Sequence, residues 1–322
     1  MHRLSELASQ NIPFLFFTNF DATQTHVYTL DELEDADIEF SFAQEGFTQH
    51  THTLNTFPQD FDSYKKGFDT VIEKIRSGET YLLNYTCQTP VQSTLTLKEI
   101  FSHANAPFKL RVKDEFVCFS PERFVKIRDA HIYTYPMKGT IDASIPNAEA
   151  KILANAKEAS EHIMVVDLLR NDLSMVAKEV KVNKFRYINK IKAGKKELLQ
   201  VSSEIEGKLS SDWRECLGET IQTLLPAGSI SGTPKKRTLE IIKEVETYER
   251  EFFSGVFGVF DGECFDSAVM IRFIENKPWR SRSDVSGEAA LNRYIYKSGG
   301  GITLESDASG EYQEMQDKIY LP

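Results

Sequence analysis

Apolar residues along this chain recur with two periods, and the switches between them mark out its elements. Phe61, Tyr64, Phe68, Val71, Ile72 and Ile75 fall at helical spacing. They predict an amphipathic helix, stopped by Ser77-Gly78. Before it, residues 1 to about 60 read as a small β-rich opening, with Phe14-Leu15-Phe16-Phe17 as a buried strand. After it come a strand over Thr80 to Thr86 and two more, Phe116 to Phe119 and Phe124 to Ile127, bracketing Ser120-Pro121-Glu122-Arg123. The alternating run His131-Ile132-Tyr133-Thr134-Tyr135 predicts a strand ended by Pro136, which has no N–H for a ladder.

The second half follows the same logic. Ala148 to Asn171 predicts one long helix, and residues 178 to 210 predict strands around a basic turn at Lys190 to Lys196, read as a solvated loop. Phe252 to Phe260 and Ser267 to Ile274 read as buried strands joined by the hairpin turn Asp261-Gly262-Glu263. Residues 275 to 292 are polar and irregular, and a short helix around Glu311 to Lys318 closes the chain.

Several of these elements carry residues with chemical potential. Lys138, in Pro136-Met137-Lys138-Gly139-Thr140, is either a surface residue in a turn or a desolvated amine able to attack an electrophilic carbon. Glu122 is either an exposed turn residue or a carboxyl held in a tight connection. Glu158 and Glu161 share a helix face, as do Glu311 and Glu314, and a solvated face competes with a pocket for each pair. Leu224 to Lys235 is a Gly/Ser loop entering a helix, with Pro234 in its first turn and Thr233 or Ser231 as cap. Such a helix start attracts anions, but the nucleotide P-loop spacing is absent. Arg272 lies in the apolar run Val269 to Phe273, where a buried arginine needs an anion or acid. Gly299-Gly300-Gly301 offers bare backbone to a ligand.

Composition narrows the class. The 322 residues are 41% hydrophobic and 27% charged, enough for a substantial core and against global disorder. No apolar run reaches the roughly 18 residues of a membrane span, and the N-terminus does not resemble a secretory signal. A net charge of −10 disfavours nucleic acid as a partner. It also requires any anion site to be locally positive. Cys87, Cys118, Cys216 and Cys264 lack paired spacing, which suits a reducing cytosol rather than a zinc ribbon or disulfide framework.

Three blocks together resemble the chorismate-utilising enzymes: anthranilate synthase and aminodeoxychorismate synthase components I, and the isochorismate and salicylate synthases. They are Glu161 to Asp172, Pro226 to Lys235, and Gly299 to Thr303 with Glu314 beyond, in the family's order and with Arg272 between the last two. The resemblance runs from about residue 62 to 320. It implies one large α+β domain over 61–322, two antiparallel sheets sandwiched with flanking helices, with segment 1–60 packed on it. It implies Mg²⁺ held by Glu161 and Glu314, with Glu158 and Glu311 reaching it through water. The substrate chorismate would meet Arg272, Ser229, Thr140, Phe253, Gln200 and the amides of Gly299, Gly300 and Gly301.

The lysine of the Pro136 to Thr140 block matches aminodeoxychorismate synthases, where anthranilate synthases carry alanine. The resemblance implies that Lys138 attacks the ring as a covalent nucleophile while Glu122 protonates the departing hydroxyl, giving 4-amino-4-deoxychorismate for 4-aminobenzoate and folate. Leu82 stands where isochorismate-type relatives have a lysine base and amino-transferring members commonly have glutamine. Gln200 stands where relatives usually have histidine, and Phe253 where several have tyrosine. No glutaminase block is present, so a separate glutaminase subunit would supply ammonia and a downstream aminodeoxychorismate lyase would finish the product, in the cytoplasm. Anthranilate synthase and a non-catalytic chorismate-binding partner are the alternatives.

Overall fold

The computed structural model describes residues 1–43, 52–193, 196–277, 279 and 291–321. Two compact units emerge, each built from discontinuous stretches: residues 1–31, 122–229 and 255–269 in the first, and 32–121, 230–254 and 270–322 in the second. Elements are numbered along the chain.

The first unit contains α1 (His2–Ser9), β1 (Phe14–Thr18), β2 (Thr25–Thr29), β8 (Arg123–Arg128), β9 (His131–Thr134) and β10 (Met137–Asp142). It continues with α4 (Ala148–Ala154), α5 (Ala156–Ser174), β11 (Lys178–Ala193), β12 (Lys196–Lys208), α6 (Leu217–Leu224), β14 (Val256–Phe260) and β15 (Phe265–Val269). Among the described residues its strands form one nine-stranded antiparallel sheet in the order β10-β12-β9-β8-β15-β14-β1-β2, with β11 on β12. All five residues of β1 are buried. Phe14 and Phe16 pack on Phe260 and Phe265 with ring centroids 5.6 and 5.7 Å apart, and burial of such rings dominates core energetics.

The second unit contains β3 (Ile38–Ser41), β4 (Leu54–Thr56), α2 (Phe61–Arg76), β5 (Leu82–Ser93), α3 (Leu97–His103), β6 (Phe108–Val112) and β7 (Phe116–Ser120). Then come β13 (Gly232–Thr233), α7 (Lys235–Val245), β16 (Phe273–Glu275), β17 (Asn292–Ile302) and α8 (Ala308–Asp317). Among the described residues its strands form an eight-stranded antiparallel sheet, β13-β5-β17-β16-β7-β6-β3, with β4 on β5. Helix α2 starts at Asp60, whose carboxylate accepts the Ser63 N–H, and buries the expected Tyr64, Phe68, Val71, Ile72 and Ile75.

An α+β fold with two antiparallel sheets and helices is therefore as the sequence implied. The first 60 residues are shared out: β1 and β2 belong to the nine-stranded sheet, β3 and β4 to the eight-stranded one.

Several local expectations are corrected. The strands flanking Glu122 do not pair with each other: β7 pairs with β6 and β16, β8 with β9 and β15. The long helix is two, because Asn155 leaves helical geometry and its side chain caps α5 by accepting the Glu158 N–H. Pro136 interrupts its strand rather than ending it. Its carbonyl accepts the Ser203 N–H, and the chain resumes on the same partner, β12, at Met137 opposite Ser202. The apolar run Ser267 to Ile274 breaks at Met270–Arg272, so Arg272 lies outside both β15 and β16. At α7 the N-cap position is Pro234 and no side chain caps it. The solvated loop expected at Lys190 to Lys196 is instead mostly strand: β11 runs to Ala193 and β12 starts at Lys196, paired from Lys190 opposite Leu199 to Ala193 opposite Lys196, with 194–195 outside the described residues. The polar stretch 275 to 292 falls largely outside the described residues.

Candidate functional site

In the first unit the geometry centres on the edge strand β10. Gly139 has φ +78°, and the pairing register with β12 shifts between Lys138 and Thr140. Such a bulge re-aims a side chain, and glycine takes the left-handed conformation without a Cβ penalty. The Lys138 ammonium donates to Glu161 Oε2 at 3.1 Å, so Lys138 points at an acid of α5. A carboxylate at that distance favours the charged form of the amine, and the proton must leave before the lone pair can act. A second ammonium, Lys157, lies 3.9 Å from the other oxygen of Glu161. Glu158 occupies the first turn of α5, where the helix dipole favours a carboxylate. A Cβ at Gly139 would come within 3.1 Å of its Oε2.

His162, next to Glu161, is 1% exposed. Its Nε2 lies 2.7 Å from Ser203 Oγ, which also accepts the Arg186 N–H. Burial first, then the charges of Arg186 and Lys138, push its pKa down to about 4, so the ring is neutral near neutral pH. Thr140 and Gln200 are direct cross-strand partners, which puts the glutamine beside the lysine strand.

Glu122 and Ser229 meet. The Ser229 hydroxyl donates to Glu122 Oε1 at 2.5 Å, and the Glu122 carbonyl accepts the Val269 N–H. Ser229, expected to meet the substrate, has its hydroxyl on this carboxylate. Its loop lies against α5: a Cβ at Gly228 would be 2.6 Å from Oδ2 of the buried Asp172.

In the second unit the centre is the end of β17. Gly299, Gly300 and Gly301 pair with Thr86, Tyr85 and Asn84 of β5. On the other edge β16 is paired only as far as Phe273 opposite Lys297. Among the described residues the glycines thus have no strand partner on that side, which leaves backbone groups there for other partners. A Cβ at Gly299 would lie 2.2 Å from the Tyr85 carbonyl, so the strand approach itself demands glycine. Arg272 sits one residue before that last pair, with φ +53°, its Nε donating to the Tyr320 hydroxyl at 3.4 Å and its guanidinium over the Tyr320 ring. It is half-buried, not enclosed as the apolar run suggested. Phe253 is buried against Phe273, and Leu82 is buried opposite Thr233.

Glu311 and Glu314 face Gly300: a Cβ there would meet Glu311 Oε2 at 3.3 Å and Glu314 Oε1 at 3.7 Å. Glu311 Oε1 accepts the Ser306 hydroxyl at 2.8 Å. Lys318, which the sequence reading passed over, donates to Glu314 Oε1 and to the Gly299 carbonyl, both at 2.7 Å. Its place four residues after Glu314 was a legible signal.

Among the described residues no group of three or more His, Cys, Asp or Glu could by itself hold a metal ion. Each unit instead supplies one helical pair of carboxylates with an ammonium against the second member. Paired carboxylates with room for water are a donor chemistry that suits Mg²⁺, which binds through few protein oxygens.

Residues 11–321 match the family described as chorismate binding enzyme. An uncharacterized PabA-like protein of Haemophilus influenzae is 42% identical over all of this chain and 96% of its own. Aminodeoxychorismate synthase component 1 of Bacillus subtilis is 28% identical over 99% of this chain and 72% of its own. The menaquinone-specific isochorismate synthase MenF of Escherichia coli shares the fold over 97% of this chain and 78% of its own, with a TM-score of 0.70 at 17% identity. The chain belongs to the family of chorismate-binding enzymes.

Proposed function

We propose that this chain is an aminodeoxychorismate synthase component I, converting chorismate and ammonia to 4-amino-4-deoxychorismate. The observation that carries the reading is Lys138: a glycine bulge turns its amine onto Glu161 at 3.1 Å. The Bacillus relative's name supports it. In this reading the deprotonated Lys138 amine bonds to ring C2 as the double bonds shift and the C4–O bond breaks. Glu122, oriented by Ser229, gives the proton that lets the hydroxyl leave as water. Ammonia then bonds to C4, the double bonds shift back, and the C2–N bond to Lys138 breaks. Covalent catalysis thereby divides one difficult displacement into two.

Arg272, Thr140, Gln200 and the glycine backbone of β17 would bind and orient the carboxylates. Glu161 and Glu314, with Glu158 and Glu311 behind water, would hold Mg²⁺, which when bound neutralises the ring carboxylate. Leu82, being buried and apolar, offers no base to activate water. A glutaminase subunit would supply ammonia, and a separate lyase would take the product.

The test is direct. Purified chain is incubated with chorismate, Mg²⁺ and ammonium, and products are separated by mass. The amino-chorismate product is expected; fluorescent anthranilate formed without any added lyase would rule the reading out in favour of an anthranilate synthase. Omitting ammonium should leave a Lys138 adduct with the mass of chorismate less one water.

A further inference from the structure

Behind the glycine end of β17 lies a charged pair that the chemistry above does not use. Arg250 is 3% exposed and Glu246 9%. The guanidinium holds Glu246 with both arms of its fork, Nε to Oε2 at 2.8 Å and one terminal nitrogen to Oε1 at 2.6 Å. The same terminal nitrogen donates to the Asn84 carbonyl at 2.6 Å, and the other to the Ile230 carbonyl at 2.9 Å. Glu246 Oε1 also accepts the Thr86 N–H at 3.0 Å and the Thr86 hydroxyl at 2.7 Å. Tyr248 adds its hydroxyl to Thr86 Oγ at 2.7 Å.

The segments gripped are specific. Asn84, Tyr85 and Thr86 are the strand partners of Gly301, Gly300 and Gly299. Ile230 precedes Ser231, whose carbonyl accepts the Asn84 N–H at 2.9 Å. The Arg250 carbonyl accepts the ammonium of the fully buried Lys297, two residues before Gly299, at 3.0 Å. The Arg250 side chain thus ties β5 to the Gly/Ser loop, and its backbone carbonyl holds Lys297 of β17. A glycine triplet has no side chains of its own to fix its position, so its backbone is as well placed as the strand beneath it.

We infer that Glu246 and Arg250 are positioning residues that fix the backbone of Gly299–Gly301 for an anionic substrate. This rests on the reading of chorismate as that substrate. Lysine cannot replace the fork: a single ammonium cannot reach two carbonyls and both carboxylate oxygens at once. Loosening the glycines should weaken the hold on a carboxylate without touching Lys138 or Glu122.

The experiment is steady-state kinetics on wild type, Arg250→Lys, Thr86→Val and Thr86→Ser with chorismate, Mg²⁺ and ammonium, with chorismate binding by calorimetry alongside. Arg250→Lys is expected to raise KM and Kd for chorismate about tenfold with kcat within about threefold. Thr86→Val, which removes one hydroxyl from Glu246, should raise both about threefold, and Thr86→Ser should restore them. Should Arg250→Lys yield no folded protein, the threonine pair decides. Unchanged KM and Kd in Thr86→Val, or a fall in kcat alone, overturns the inference while leaving the substrate reading intact. A wild type that neither binds nor converts chorismate overturns both.

Discussion

The Ser229 hydroxyl is bonded to the carboxylate of Glu122, at 2.5 Å. That contact makes the serine a holder of the proposed acid. Ser229→Ala is expected to lower kcat about tenfold or more, since hydrogen bonds to charged groups contribute about 1.5–3 kcal/mol. KM should move little, and Ser229→Thr should recover most of the rate. A rise in KM with unchanged kcat would return Ser229 to a substrate-binding role.

Lys138→Ala should abolish amination, with a loss of at least about 100-fold, and should leave no covalent adduct in the intact mass. Lys138→Arg should not recover activity, although it keeps a positive charge near Glu161, because a guanidinium is never deprotonated in proteins. Calorimetry should show that both variants still bind chorismate. Full turnover in Lys138→Ala would remove the covalent step.

Gly139→Ala tests the bulge that aims the lysine. A non-glycine residue at φ +78° costs about 1–2 kcal/mol, and the new Cβ would press on Glu158 at 3.1 Å. Thermal unfolding should fall by a few degrees, and kcat should fall further than Gly78→Ala lowers it. Gly78 has a similar φ of +76° but open space around it. Equal effects at both positions would mean backbone strain alone matters.

Chelation should remove activity, and Mg²⁺ should restore it. Glu161→Gln and Glu314→Gln should each raise the Mg²⁺ concentration needed for half-maximal rate by about tenfold or more, read as activity against added Mg²⁺. Glu158→Gln and Glu311→Gln should raise it less.

The cysteines give a check on the core. Cys87 and Cys118 are buried, and desolvation pushes the Cys87 thiol up to about 12 and that of Cys118 higher still. Cys216 and Cys264 are half-buried. A thiol reagent at pH 8 should therefore modify Cys216 and Cys264 in the native protein, and all four cysteines in denaturant. Rapid native modification of Cys87 would contradict the packing of β5.

The sequence by itself determined the elements whose causes are local. The spacing of Tyr64, Phe68, Val71, Ile72 and Ile75 made α2 legible, because a 3.6-residue period depends only on near neighbours. The carboxylate pairs 158/161 and 311/314, the lysine before Gly139 and the glycine triplet were legible for the same reason, and the family blocks were plain in the chain. What the sequence missed were breaks, one made by a local cap and two decided by tertiary pairing. Asn155 splits a helix whose apolar pattern runs on past it. β10 resumes beyond Pro136 because β12 lies alongside. Arg272 leaves the strand where β16 parts from β17.

The tertiary structure alone decided which groups touch. Ser229 and Glu122 are 107 residues apart in the chain, and Arg250 and the Asn84 carbonyl 166. No local pattern joins such residues. A buried guanidinium or carboxylate must find partners wherever the fold supplies them, since leaving a charge desolvated and unpaired costs several kcal/mol. Periodicity therefore revealed the elements, while the requirement to satisfy every buried charge and hydrogen-bonding group set their partners.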